Sequence, residues 1–321
     1  MRRPLEGSYA ATLAIVLLAL SPNIVVTTAF GLMTKTLGAH TGLSRTGLEV
    51  TEGLANAGYA FGALVGGDFT QRFRQRYVFL LCEALFVLGC ALSAFSWGPV
   101  SFSAGRVLQG LATGFLLTAA IPPLVQLFGP EKLAMTAAWI NVGFFGAVTA
   151  GPLVGGAATV GAEHWRWLFA GLGVLGLAGF GLALLALPVR EPPNPGLPPD
   201  WPAFGLAAVG TVAPFVAVSL LVSRGFASPS FTGLLSAGTL ALVTLLVLEY
   251  GREEPLSPVR PMSTSLPVLG IVVASLAGAI YVTLLSLAER WLEKVSHDSP
   301  LSTGLAVWPQ VVTLMLAAGV F

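Results

Sequence analysis

Apolar runs near the length of a membrane helix recur along this 321-residue sequence, and no other feature limits its folding as strongly. The first, Tyr9 to Leu32, covers roughly 35 Å at about 1.5 Å per residue, enough to cross a hydrocarbon layer of about 30 Å. Further runs lie near 47–67, 77–97, 101–126, 133–160 and 166–187. A proline-dense stretch, VREPPNPGLPPDWP, follows, and then runs near 202–223, 230–249, 264–289 and 301–321. Backbone in lipid must satisfy its own hydrogen bonds, so such runs are expected to be helices. The fold class is therefore an all-α integral membrane bundle with the lipid bilayer as its solvent. Composition agrees: 10% of residues are charged, against roughly 25% in soluble domains. The N-terminus resembles a signal peptide, but its apolar run continues through VVTTAFGLM, so it is read as a retained first span.

Three parts are expected: a six-helix bundle over 1–187, a linker with an extra helix pair over 188–263, and the start of a further bundle over 264–321. The linker is expected to be stiff, solvated and polyproline-like. The last run reaches the C-terminus at LMLAAGVF without a polar tail, which reads as a chain that is C-terminally incomplete. Basic residues set the orientation. Arg2, Arg3, Arg72, Arg74, Arg76, Lys132, Arg190, Arg252 and Arg260 fall on the side of the N-terminus. Lys35, Arg45, Arg166, Arg224, Arg290 and Lys294 fall opposite, so the N-terminus is placed in the cytoplasm.

Several function classes are excluded. A net charge of +1 gives no nucleic-acid footprint. There is no G-x-x-x-x-G-K loop for ATP, no zinc motif and no nucleophile elbow, so no enzyme, cofactor or metal site is expected. Cys82 and Cys90 share one helical run too far apart to bond. The protein is expected to act as a monomer.

Within the fifth run, GFFGAVTAGPLVGG gathers poor helix formers. In lipid that penalty reverses, because helices there associate through close backbone contact and interfaces collect small residues. At about 100° per residue, Gly143, Gly146, Ala147, Ala150 and Gly151 share one face, and Pro152 is expected to bend the helix. Gly58, Gly62 and Gly66 form a milder stripe in the second run.

This stretch resembles the fifth-helix antiporter motif of the major facilitator superfamily, G-x-x-x-G-P-x-x-G-G. Gly151, Pro152, Gly155 and Gly156 match, with Ala147 at the first glycine. RVLQGLATG, Arg106 to Gly114, resembles the family's R-x-x-Q-G motif, and WRWLF resembles the start of the sixth helix in the fourteen-helix drug:proton antiporter branch. The resemblance implies secondary active transport driven by the proton gradient, with small hydrophobic or amphiphilic molecules exported across a bacterial inner membrane. It also implies that about four helices follow Phe321, and that the fifth helix packs against the last run, 301–321.

An ionisable group inside a span costs at least about 2.5–3.5 kcal/mol and needs a reason. Arg106, Gln109, Gly110, Thr113 and Gly114 share one face of the fourth run, and Glu49, Glu52 and Asn56 share one of the second. Glu52, Arg106 and Asn23 come out at similar depth. Glu52 is thus the candidate proton carrier, tuned by Arg106, with Asn23 beside them. Asn56, Gln109, Thr113 and Asn141 are candidates to line a substrate cavity. Glu83 is expected to pair with the Arg72–Arg76 cluster.

Two departures from the family stand out. LSPNIVV puts Ser21 where the branch carries a first-helix aspartate. GGDFTQRFRQR keeps Gly66 and Arg74 of the loop motif but has Thr70 for its aspartate, with Asp68 displaced by two positions. Besides proton-coupled export, two readings therefore stay open. One is a uniporter or a carrier of a polar or anionic metabolite with Arg106 as counter-ion; the other is a non-transporting sensor or assembly partner.

Overall fold

The computed structural model describes residues 4–252 and 259–313. Arg2 and Arg3 of the charge bias, and residues 314–321 of the last expected span, lie outside them. The long helices are α1 (Tyr9–Thr41), α2 (Arg45–Arg72), α3 (Gln75–Ala94), α4 (Pro99–Phe128), α5 (Leu133–Ala157) and α6 (His164–Ala186). After the linker come α7 (Trp201–Arg224), α8 (Pro229–Gly251), a short α9 (Val259–Met262), α10 (Ser265–Lys294) and α11 (Pro300–Val307). Among the described residues eight helices are long and apolar enough to cross a membrane: α1, α3, α4, α5, α6, α7, α8 and α10. α2 is 28 residues long, but its acids and glycines make it less apolar. It is sheltered between α4 and α7. The end of the bundle where α1 begins is called the near end below, and the other the far end.

Helices outrun the apolar segments that announce them. α1 starts where the Ser8 hydroxyl accepts from the Ala11 amide, and runs past Leu32 through Lys35 to Thr41. It stops because Gly42 takes φ 73°, a left-handed C-cap that glycine adopts without a Cβ clash. Pro22 lies inside α1, and the helix continues through it.

α1 is the spine of the first six helices. Toward the near end Ile15, Phe79, Leu116 and Ala183 form one apolar cluster. Toward the far end Phe30, Phe86, Phe102, Trp165 and Phe169 form another. The α7–α8 pair docks on α2, where Val65 packs with Ala203, Ala207 and Leu245. Cys82 and Cys90 are free and buried.

Glu83 does not pair with the basic cluster. It is fully buried, and neither carboxyl oxygen has a partner. Arg76 stands roughly 10 Å below it along α3 and turns to α6 instead, donating to the Leu187 and Leu184 carbonyls at 3.0 and 3.1 Å. Those carbonyls end a helix, where donors and positive charge are wanted.

Candidate functional site

The site begins with glycines. α2 and α4 run in the same direction, and their small residues interlock. A Cβ on Gly62 would lie 2.7 Å from the Leu111 carbonyl oxygen and 2.8 Å from the Phe115 nitrogen. On the opposing helix, Cβ atoms on Gly110 and Gly114 would collide with the Ala55 and Tyr59 carbonyls. Only bare backbone permits this approach. The register it imposes sets Glu52 beside Arg106, each roughly 10 Å, two turns, inward from the far-end start of its helix.

There the two side chains meet. Arg106 Nη2 donates to both oxygens of Glu52, at 3.1 and 2.8 Å, and Nε donates to Oε2 at 3.3 Å. Nη1 donates to Gln109 Oε1 at 2.5 Å, and Gln109 Nε2 donates to Ser93 Oγ on α3 at 3.1 Å. The guanidinium carbon lies 5.7 Å from the centre of the Phe30 ring on α1. The Arg106 side chain is 0% exposed and that of Glu52 is 16% exposed. The arginine is thus locked inside the bundle, while the carboxylate keeps an edge open. Fork-on-carboxylate geometry is the strong form of such a pair.

Asn23 does not join it. It is buried with Oδ1 unpartnered, and makes no hydrogen bond to Glu52 or Arg106. It shares a face of α1 with Phe30 but lies two turns nearer the near end, so Phe30 is the α1 residue at the pair. Gln109 and Thr113 are both buried, Gln109 in the α3–α4 seam and Thr113 with its hydroxyl donating to the Gln109 carbonyl at 2.8 Å. Asn56 is half-buried one turn beyond Glu52, and Asn141 is exposed on α5.

The glycine motif of α5 faces two ways. Gly143 meets Leu17, Gly151 meets Thr28 and the Val25 carbonyl, and Gly155 meets Ala29, all on α1. Ala147, between them, is buried. Gly156 is turned about 100° further and meets Pro300 and Leu301 of α11, while Gly304 of α11 returns the contact at Pro152 and Leu153. Among the described residues, the expected seal of the bare face against the last run is made at the far end. Most of the stripe packs inside the first six helices, and Gly146 meets nothing within 4 Å. Pro152 lies inside α5 without interrupting it.

The family model described as Major Facilitator Superfamily matches residues 13–321. The chain belongs to this superfamily. It is 30% identical over 287 residues to the uncharacterized MFS-type transporter YubD of Bacillus subtilis, covering 88% of this chain and 55% of that protein. It is 27% identical over 254 residues to a multidrug resistance protein B homolog of Mycobacterium tuberculosis, covering 78% and 46%. A peptide transporter POT mutant (E310Q) superposes with a TM-score of 0.60 at 17% identity, over 97% of this chain and 67% of that one. The proton:xylose symporter XylE superposes with a TM-score of 0.58 at 14% identity, over 97% and 69%. The chain spans about half the length of the curated relatives it matches. Together with its repeated apolar helices, the family makes it a multi-pass membrane protein.

The superfamily's loop motif is rebuilt here as an anchor. Gly66 lets α2 approach Phe115 and Thr118 of α4. Asp68 accepts from Arg72 at 2.5 Å, and Arg72 also donates to the Leu197 carbonyl at 2.8 Å. Arg74 pairs with Glu191 at 2.5 Å, and the Asn194 amide donates to the Gln71 carbonyl at 2.9 Å. The proline-rich linker is thus tied to the α2–α3 turn at three points instead of standing free in solvent. The Glu191 hydrogen bond and charge raise the Arg74 pKa further above neutrality, so the guanidinium stays charged throughout the physiological range. The ties differ in strength. Arg74→Ala, at an exposed pair, is expected to leave the melting temperature in detergent unchanged. Arg76→Ala, which takes the donor from the buried Leu187 carbonyl and a second bond from the Leu184 carbonyl, is expected to lower stability by about 1–3 kcal/mol in the same assay.

Sequence reading passed over Ser93 and Phe30, which complete the Arg106 network. Their only signals were a serine and an aromatic within apolar runs, and such residues are ordinary there.

Proposed function

We propose that this chain forms part of a proton-coupled transporter that exports small hydrophobic or amphiphilic compounds across a bacterial inner membrane, with its N-terminus in the cytoplasm. The Glu52–Arg106 pair carries the reading. A carboxylate that keeps 16% of its side chain open, against an arginine with none, can exchange a proton without releasing the arginine to lipid. Taking up a proton removes the charge that holds Glu52 in the fork, so α2 and α4 lose an attraction at one point of a seam otherwise held by backbone contact. That coupling of proton to helix position is what alternation between two accesses requires. The names of several relatives, among them a multidrug export protein of Haemophilus influenzae, support the substrate class. The Arg72, Arg74 and Arg76 turn at the near end supports the orientation. Metabolite transport with Arg106 as counter-ion is less favoured, because its guanidinium is already occupied by Glu52 and Gln109.

Reconstituted vesicles with an imposed pH gradient test this. The protein is expected to move a fluorescent amphiphile against its own gradient, and Glu52→Gln to abolish the uphill component. A uniporter moves the dye only downhill and a sensor not at all; either result overturns the proposal. Full proton-driven transport by Glu52→Gln removes Glu52 from it.

A further inference from the structure

A second acid is buried where α10 meets α1. Among the described residues α10 buries only two, Leu285 and Glu289, although the helix is mostly apolar. Glu289 is 9% exposed, and its Oε1 is enclosed with no hydrogen-bond partner. Oε2 reaches across to α1 and lies 3.7 Å from where a Cβ on Gly31 would stand. Gly31 directly follows Phe30, whose ring stacks near Arg106. One turn of α1 therefore carries the paired site on one side and this carboxyl on the other.

The surroundings hold little to neutralise a charge there. On α10, Glu293 follows one turn later and is half-buried, while Arg290 and Lys294 are exposed. Tyr281, two turns earlier, donates to Gln310 at 3.1 Å. On α1, Lys35 is exposed one turn beyond Gly31, and His40 is bonded to the Thr36 carbonyl. α11 has no ionisable side chain, and His297 and Asp298 lie in the turn before it. With Oε1 enclosed and undonated, the charged carboxylate is disfavoured against the same group carrying its proton.

We propose that Glu289 is a proton-binding site that gates the contact between α10 and α1. With the proton on, the neutral carboxyl fits against Gly31 and the helices stay together. When the proton leaves to water, the carboxylate must be hydrated or reach Lys35, and the far end parts. The reaction is one proton exchanged between solvent and one carboxyl. The proposal deepens the transport reading and rests on it for its purpose, but the gating step is measured without transport.

Spin labels on cysteines at His40 and Lys294, with Cys82 and Cys90 changed to alanine, report the α1–α10 distance in liposomes. The full chain is compared between about pH 5 and about pH 9, a window that brackets buried carboxyl titration. The parent is expected to shift from a short to a longer distance as pH rises. Glu289→Gln is expected to lose that shift and stay short, and Glu289→Asp to keep it. Gly31→Leu, which fills the space the carboxyl uses, is expected to stay long throughout, so the test survives a poorly folded Gln variant. Glu52→Gln is expected to retain the shift. A parent without a pH-dependent distance, or a Glu289→Gln protein that responds as the parent does, overturns the gate. Loss of uphill transport with an intact shift counts instead against the transport reading alone.

Discussion

Arg106→Ala is expected to abolish uphill transport and to destabilise the helical bundle by about 3–5 kcal/mol, the range for removing one partner of a buried ion pair. Three groups are stranded at once. Glu52 loses a fork that reaches both of its oxygens, Gln109 Oε1 loses its 2.5 Å donor, and the Phe30 ring loses the cation above it. The arginine side is fully enclosed, so Gln109 and the Phe30 ring are left inside the bundle. Arg106→Lys keeps the charge but offers a single point in place of a planar fork, so it is expected to fall between wild type and alanine. The double change Glu52→Gln with Arg106→Met removes both charges. It is expected to recover most of the stability and none of the transport, which separates the pair's role in folding from its role in coupling. Melting in detergent and dye uptake in vesicles read the two effects. An alanine variant that matches wild type in both would show that the pair does neither job.

Gly110→Leu is expected to prevent the first six helices from assembling. The new Cβ would run into the Ala55 carbonyl, which is backbone of a packed helix and cannot rotate away. Relief requires α2 and α4 to separate, and that breaks the glycine contacts at Gly58, Gly62 and Gly114 and pulls Glu52 off Arg106. Overpacking typically costs about 1–3 kcal/mol where side chains can yield, and this site has none to yield. Gly171→Leu on α6, where nothing stands within 4 Å, is the control and is expected to be tolerated. Size-exclusion chromatography of the solubilised proteins distinguishes them. A monodisperse Gly110→Leu protein with native melting would mean that the α2–α4 seam does not hold the bundle.

Much of the candidate site was legible in residue order. Glu52 and Arg106 stood out because ionisable groups inside apolar runs are costly, and counting rise from each helix start placed them at one depth. The same count misplaced Asn23 by two turns, because α1 runs past the end of its apolar run, from Leu32 on to Thr41. Gln109 and Thr113 were assigned to a cavity because polarity says that a side chain avoids lipid, but not whether it turns to a neighbour, to its own backbone or to open space. Glu289 was missed for a related reason. It ends the apolar stretch before Arg290 and reads as an interfacial acid, until α10 is seen to continue as helix to Lys294.

Residue order alone determined that this chain is a bundle of membrane helices, and that glycine stripes on the second and fifth runs let helices approach closely. These follow from the cost of polar groups in hydrocarbon, a property of each segment taken singly. Only the tertiary structure decided partners. It turned most of the α5 glycines to α1 and gave only the far end to α11, and it left Glu83 and one oxygen of Glu289 without partners. Partner choice depends on the rotation and register of two helices at once, and a glycine stripe says that something approaches closely without saying what.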